Sequence, residues 1–315
     1  MQGVIIVVIA ILLWYPAWIN PVVASGLDNG YLLVGLDNFL NSCPLLASII
    51  AFLIVLFEGF LLNAILYRHG MIQNNTLLPM FMYVLAMSAS VDSLSFTPMV
   101  LVNAVVLGML YLMLLQGTVP AVSPITIFSL AALVSISVML YFPSVVLLVP
   151  LILVFVLYSL YRWHYLLMLL MGLLAPFLLV YTCFFLFDTL PQEVDRLLSA
   201  VANLKIDFVV VTWQQFTVQI AYGVMLLLGL VVGNMLRTSH LIVQDKNNLV
   251  FVLFLLASVV SLFYTSLFPF NMQCFAIVFA YWSSLLLLQV NSRHWLWQVL
   301  FSLFLVIVVV FPLVG

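Results

Sequence analysis

Runs of about twenty apolar residues, separated by short polar bends, follow one another from end to end of this chain. A run of that length makes a helix long enough to cross the ~30 Å hydrocarbon layer of a bilayer. Within that layer a helix satisfies its own backbone N–H and C=O groups, which is why such runs read as spanning helices. Hydrophobic residues make up 67% of the 315, and charged residues only 5%. A soluble domain needs far more polar side chains to cover itself. The reading is therefore all-α: a polytopic transmembrane helix bundle forming a single integral membrane domain over residues 1–315.

Eleven spans are expected, with ten as the rival count. They run from Gly3 to Ile19, Ser42 to Tyr67, Leu77 to Val91, Pro98 to Leu115, Ile125 to Phe142, Ser144 to Leu160, Tyr165 to Phe187, Phe208 to Met235, Leu249 to Thr265, Met272 to Gln289 and Trp295 to Phe311. Pro150 and Pro176 fall inside spans and are expected to kink them. The first run has neither a basic leader nor a small-residue cleavage site, so it reads as a helix and not a signal peptide.

Lysine and arginine in short loops favour the cytoplasmic side. Arg68, Arg162, Arg237, Lys246 and Arg293 follow the even-numbered spans, with only Arg196 and Lys205 opposite, whereas Asp28, Asp37, Asp92, Asp188, Glu193, Asp195 and Asp207 fall on the opposite side and only Asp245 lies with the basic set. This parity predicts an inner (cytoplasmic) membrane protein of a bacterial envelope, N-terminus in the cytoplasm and C-terminus in the periplasm. Trp14 and Trp18 are expected at the outer interface, and Tyr161, Trp163, Trp295 and Trp297 at the inner one.

Two stretches read as helices lying on the outer surface. Residues 189–206 carry Leu190, Val194, Leu197, Leu198, Val201 and Leu204 on one face, with Thr189 and Gln192 as a capping box. Residues 30–41 carry Leu32, Leu33, Leu36, Phe39 and Leu40 on one stripe. The tetrad Gly26-Leu27-Asp28-Asn29 returns as Gly35-Leu36-Asp37-Asn38. Nine helical residues rise roughly 13 Å, so Asp28 and Asp37 cannot grip one ion or one proton together unless the helix breaks at Gly35.

Polar residues in the apolar runs supply the candidate site. Asp28, Asp37 and Asp92 are candidate catalytic carboxylates at the outer surface; Asp92 sits between a short third span and a fourth opening at Pro98, and short segments often mark binding sites. Glu58, beside Gly59 and well inside the second span, is costly in lipid and should face the bundle interior. With Gln215 and Gln219 in the eighth span and Asn271, near Gln273, opening the tenth, it outlines a substrate path. Helix caps and interhelical hydrogen bonds explain the same polar residues without any ligand.

On the cytoplasmic side, Arg68, Arg162, Arg237 and Arg293 form a candidate set for an anionic head group. Each is followed by a histidine: His69, His164, His240 and His294. The histidines lack clustered metal-ligand spacing, so no metal site is assigned and any cofactor stays unknown. Cys43, Cys183 and Cys274 lack framework spacing and read as buried small apolar residues. No phosphate loop, nucleophile elbow or nucleic-acid patch is present.

The segment "LLNAILYRHGMIQNNTLLPMFMYVLAMS", Leu61 to Ser88, together with "LLWYPAWINP" and "CPLLASIIAFLIVL", resembles an uncharacterised Bacteroidota family of multi-pass inner-membrane proteins. The resemblance covers roughly the first third of the chain and implies a multi-pass membrane fold. Some members carry a carotene-cleaving oxygenase label. Such enzymes hold iron on several histidines, whereas the loop positions of the four here argue against a retinoid site between helices. No catalytic residues are carried over.

Three functions fit these residues. The first is an enzyme acting at the outer face on a lipid-linked or amphiphilic substrate, like a polyprenyl-linked glycosyltransferase. The second is a transporter or flippase using Glu58. The third is a non-catalytic subunit or scaffold of an envelope complex. The expected partners are the lipid bilayer, a lipid-linked substrate and envelope proteins, with no nucleic acid.

Overall fold

A computed structural model describes residues 2–21, 40–72, 76–88, 94–117, 123–157, 162–202, 213–235, 250, 252, 270–289, 299 and 301–308. Every regular element among them is helical. The named helices are α1 (Gln2–Ile19), α2 (Pro44–Arg68), α3 (Leu78–Met87), α4 (Pro98–Gly117), α5 (Pro124–Leu140), a 3-10 turn (Phe142–Leu147), α6 (Leu148–Leu157), α7 (Trp163–Leu186), α8 (Leu190–Ala202), α9 (Trp213–Met235) and α10 (Phe270–Gln289).

Proline opens many of these elements. Pro44, Pro79, Pro124 and Pro143 occupy the first two positions of α2, α3, α5 and the 3-10 turn, and Pro98 starts α4. The first N–H groups of a helix have no intrahelical partner. Proline lacks that N–H and has its φ pre-set for the helix, so it suits helix starts in apolar surroundings. Two helices end in Schellman turns. Gly70 (φ 64) and Asp188 (φ 54) are left-handed, and Met71 and Thr189 donate their N–H groups back to Leu66 and Phe184. These turns satisfy carbonyls that the helix ends would otherwise leave open.

Among the described residues, α2, α4 and α7 are long and apolar enough to cross a membrane. The 25 residues of α2 extend roughly 37 Å, but the ten of α3 only about 15 Å. The first three helices alternate in direction. Gly3, at the start of α1, lies against Leu77 at the start of α3, and Trp14, near the end of α1, reaches Ser88 at the end of α3. Trp14 and Trp18 also meet Phe52 in the first half of α2.

The core is centred on α3, which packs against α1, α2 and α10 and buries all its residues except Leu78 and Phe81. α10 also packs on α4 and α9, and α5 pairs with α7. Two glycines set the closest crossings. A Cβ on Gly172 would come within 2.5 Å of the Phe128 carbonyl oxygen on α5, and one on Gly229 within 2.6 Å of the Trp282 carbonyl oxygen on α10. Gly172 is the one buried residue of α7; Leu170, Leu174, Leu178, Phe185 and Leu186 are exposed.

Several expectations change. The helix of the third span, α3, runs over Leu78–Met87 with Ser88 as its C-cap; residues 89–91 of the expected span lie outside the described residues. The sixth begins as the 3-10 turn, which runs directly into α6, and Pro150 is the third residue of α6. Pro176 does lie inside α7, and Pro16 inside α1. Trp14 is not an interface anchor: it is fully buried and donates to Ser88 Oγ at 3.1 Å. Cys43 and Cys183 are free and exposed rather than buried, because each sits at or near a helix end. The surface helix of residues 189–206 is helical over Leu190–Ala202. No capping box closes it, since the Thr189 hydroxyl donates to Phe184 in the preceding turn at 3.3 Å.

Candidate functional site

Glu58 is fully buried on α2. The next residue, Gly59, lets α3 approach: a Cβ there would meet Met80 at 3.2 Å and Tyr83 at 3.4 Å. This close passage brings the Tyr83 hydroxyl to Glu58, donating to Oε2 at 2.7 Å. The other oxygen, Oε1, is buried without a hydrogen-bond partner. Ala104 on α4 brings its backbone N–H close to the same carboxyl.

One residue before Ala104, the Asn103 side chain interacts with Tyr83. It donates to the Gln273 carbonyl on α10 at 3.1 Å and contacts Met87 Sδ at 3.4 Å. Thr97, just ahead of α4, donates its hydroxyl to Gln273 Oε1 at 2.8 Å. Glu58, Tyr83, Asn103, Gln273 and Thr97 thus form a buried chain of polar side chains across α2, α3, α4 and α10. All are 1% exposed or less. In an apolar interior a polar group costs free energy unless it is hydrogen-bonded, so this chain binds four helices into a defined arrangement.

The chain ends beside the buried C-terminus of α3. There Ser88 donates to the Val84 carbonyl at 2.7 Å and accepts from Trp14. Tyr222 on α9 donates to the Leu85 carbonyl at 2.7 Å. Side chains from α1 and α9 therefore satisfy a helix end that stops inside the bundle. Tyr222 is held by the edges of Phe279 and Phe304, at centroid distances of 4.8 and 5.2 Å.

At the other end of α2, the exposed Arg68 guanidinium lies 5.8 Å from the Tyr111 ring centre, a cation–π geometry. His69 packs edge-on to the same ring. Partial desolvation first, and the Arg68 charge second, lower the His69 pKa from its ordinary 6.5. The folded protein therefore favours the neutral imidazole, while the unfolded chain takes up the proton at higher pH. Acidification through 6.5 should lower the unfolding temperature of the wild type more than that of His69→Gln. Equal losses in the two proteins, in detergent melts across that pH range, would refute the assignment.

Of the residues expected in a substrate path, Glu58 is in this centre, and Gln273, noted beside Asn271, joins it. Gln219 is half-buried on α9. Gln215 and Asn271 lie within α9 and α10, but their side chains are outside the described residues, as are Asp28, Asp37, Asp92, Arg237 and Arg293. Arg162 is exposed at the N-cap of α7. The His164 ring lies tilted against Tyr165, with centroids 4.0 Å apart. Among the described residues no group of three or more His, Cys, Asp or Glu side chains is placed to hold a metal ion. Tyr83, Asn103 and Thr97 are site residues that the sequence did not single out. Asn103 was the one with a usable signal, a lone amide within an otherwise apolar run.

No protein family, curated protein or solved structure matches this chain.

Proposed function

We propose that this protein is a multi-pass membrane transporter or flippase for an amphiphilic or lipid-linked substrate, with Glu58 at its working centre. The observation that carries the reading is the buried carboxyl of Glu58, joined by Tyr83 to a polar chain over four helices. Ionisable residues deep in a membrane domain are expensive, and they mark substrate or ion pathways by default. A short helix ending inside the bundle, as α3 does at Ser88, is the second sign of such a pathway.

The membrane setting is part of the proposal. The basic bends follow the even-numbered runs and the acidic bends the odd ones, which favours eleven spans, a cytoplasmic N-terminus and an inner-membrane location. α2 and α4 then run inward from the outer face, and Thr97 and Gln273 lie toward that face. The likeness of the first third to a Bacteroidota multi-pass family belongs to the same reading.

The test is transport. In liposomes carrying the purified protein, an imposed pH gradient should drive uptake of an amphiphilic fluorescent probe, and Glu58→Gln should lower it at least tenfold. Equal uptake by the two proteins would overturn the proposal. So would cysteine-accessibility mapping that placed Arg162 and Asp195 on one side of the membrane.

A second reading rests on α8. Its Val194 and Leu198 are exposed beside the acidic Asp195, and α7 is the helix it packs against. Such an amphipathic helix suits the membrane surface, where it would accompany an outer-face enzyme on a lipid-linked substrate. In that case Asp28→Asn, Asp37→Asn or Asp92→Asn should remove an envelope glycan while Glu58→Gln leaves it intact.

A further inference from the structure

We infer that the ligand of the Glu58 centre is a proton, held on the carboxyl oxygen Oε1. The inference rests on the transport reading above and names the ion that drives it. Its basis is the unequal treatment of the two carboxyl oxygens. Oε2 accepts from Tyr83 at 2.7 Å, whereas Oε1 is buried with no hydrogen-bond partner. An unmatched acceptor in a dry interior is costly, and more so if charged. Native structures leave few such groups without a reason.

The surroundings select the ligand. A hard metal ion gathers several oxygen atoms around it. Beside the Glu58 carboxyl the structure shows the Tyr83 hydroxyl, committed to Oε2, and the Ala104 backbone. Packing is tight enough that a Cβ on Gly59 would press on Met80 at 3.2 Å. A proton needs neither added volume nor a coordination shell. When it bonds to Oε1, the carboxylate becomes a neutral carboxyl, the negative charge on the centre is removed, and Oε2 keeps the Tyr83 hydrogen bond.

The neighbouring elements do not supply a competing charge. Glu58 is the one titratable group in the body of α2, with Tyr67 and Arg68 at its far end. Among the described residues on the helices packed against it, α1 contributes Tyr15, which is exposed. α3 contributes Tyr83 itself. α4 contributes Tyr111, which lies against Arg68 and His69.

Infrared difference spectroscopy on the full-length protein in lipid nanodiscs tests this without requiring transport. Changing from alkaline to acidic buffer should raise a protonated-carboxyl C=O band in the wild type. The band should vanish in Glu58→Gln and persist in Glu58→Asp. In Tyr83→Phe it should shift, because the hydrogen bond to Oε2 is gone. A band retained in Glu58→Gln, or unmoved in Tyr83→Phe, would overturn the inference. A carboxylate band that responds to sodium in place of choline, and not to pH, would assign the centre to a metal cation and overturn it too. If Glu58→Gln fails to fold, the Tyr83→Phe shift decides the matter. A normal band with no probe uptake would leave the proton site standing and sink the transport reading, so the two failures are distinguishable.

Discussion

Gly229→Ala should destabilise the protein by about 3 kcal/mol or more, while Gly223→Ala, less than two turns earlier on the same helix, should leave it unchanged or slightly more stable. The added methyl at 229 would lie 2.6 Å from the Trp282 carbonyl oxygen and 2.7 Å from its carbon. Neither atom belongs to a flexible side-chain tip, so α9 and α10 must move apart. Overpacking typically costs about 1–3 kcal/mol, and an obstacle made of backbone belongs at or beyond the upper end. Separation would also pull Tyr222 from the Leu85 carbonyl and from Phe279, loosening the end of α3 beside the polar chain. A methyl added at Gly223 would meet nothing within 4 Å, and alanine is the better helix former by about 1 kcal/mol. Thermal unfolding of the detergent-solubilised variants provides the comparison. Equal melting of Gly229→Ala and the wild type would mean that the two helices are not in this contact. Gly172→Ala carries the same expectation for the α5–α7 pair, where the obstacle is the Phe128 carbonyl. Small residues let membrane helices approach closely enough for dispersion to hold them, which is why two glycines can matter more than the leucines around them.

Helix existence was legible in the sequence wherever a long apolar run met a proline start. The expected spans beginning at Pro98 and ending at Gln289 match α4 and α10 at those ends. Where helices stop inside the bundle was not legible. The end of α3 is set by Trp14, 74 residues before Ser88, and by Tyr222, 137 residues after Leu85, and hydrophobic periodicity carries no trace of such distant partners. The same holds for the site. Glu58 stands out in its run because an acid there needs a reason. Its partner Tyr83 is 25 residues away, and a tyrosine in an apolar segment looks like any other aromatic. Trp14 misled for a related reason: tryptophan near the end of a run suggests an interface, but here its ring fills the core and its N–H has a buried acceptor.

Asn103→Asp should be the most damaging near-isosteric change in the polar chain, and worse than Asn103→Leu. The native amide donates to the Gln273 carbonyl and faces the Met87 sulfur; both are acceptors. A carboxylate keeps the shape and loses both donors, so oxygen would face oxygen at about the native separation. Losing a buried hydrogen bond while its partner stays buried costs about 1–3 kcal/mol. A second carboxyl near the Tyr83–Glu58 pair adds like-charge repulsion, or the need to bind a proton. Together these place Asn103→Asp at about 3 kcal/mol or more. Leucine, of similar size, forfeits the same hydrogen bonds but brings no acceptor and no charge, so a loss nearer about 1–2 kcal/mol is expected. The order of the two variants is the informative quantity. In a site open to water an aspartate would be hydrated and the leucine would be the costlier residue. Asp below Leu in thermal stability therefore means that Asn103 sits in a dry interior, in keeping with its burial beside the Tyr83–Glu58 pair. Leu below Asp would mean a wet cavity, in which the cost of a buried, unmatched Glu58 oxygen would fall away.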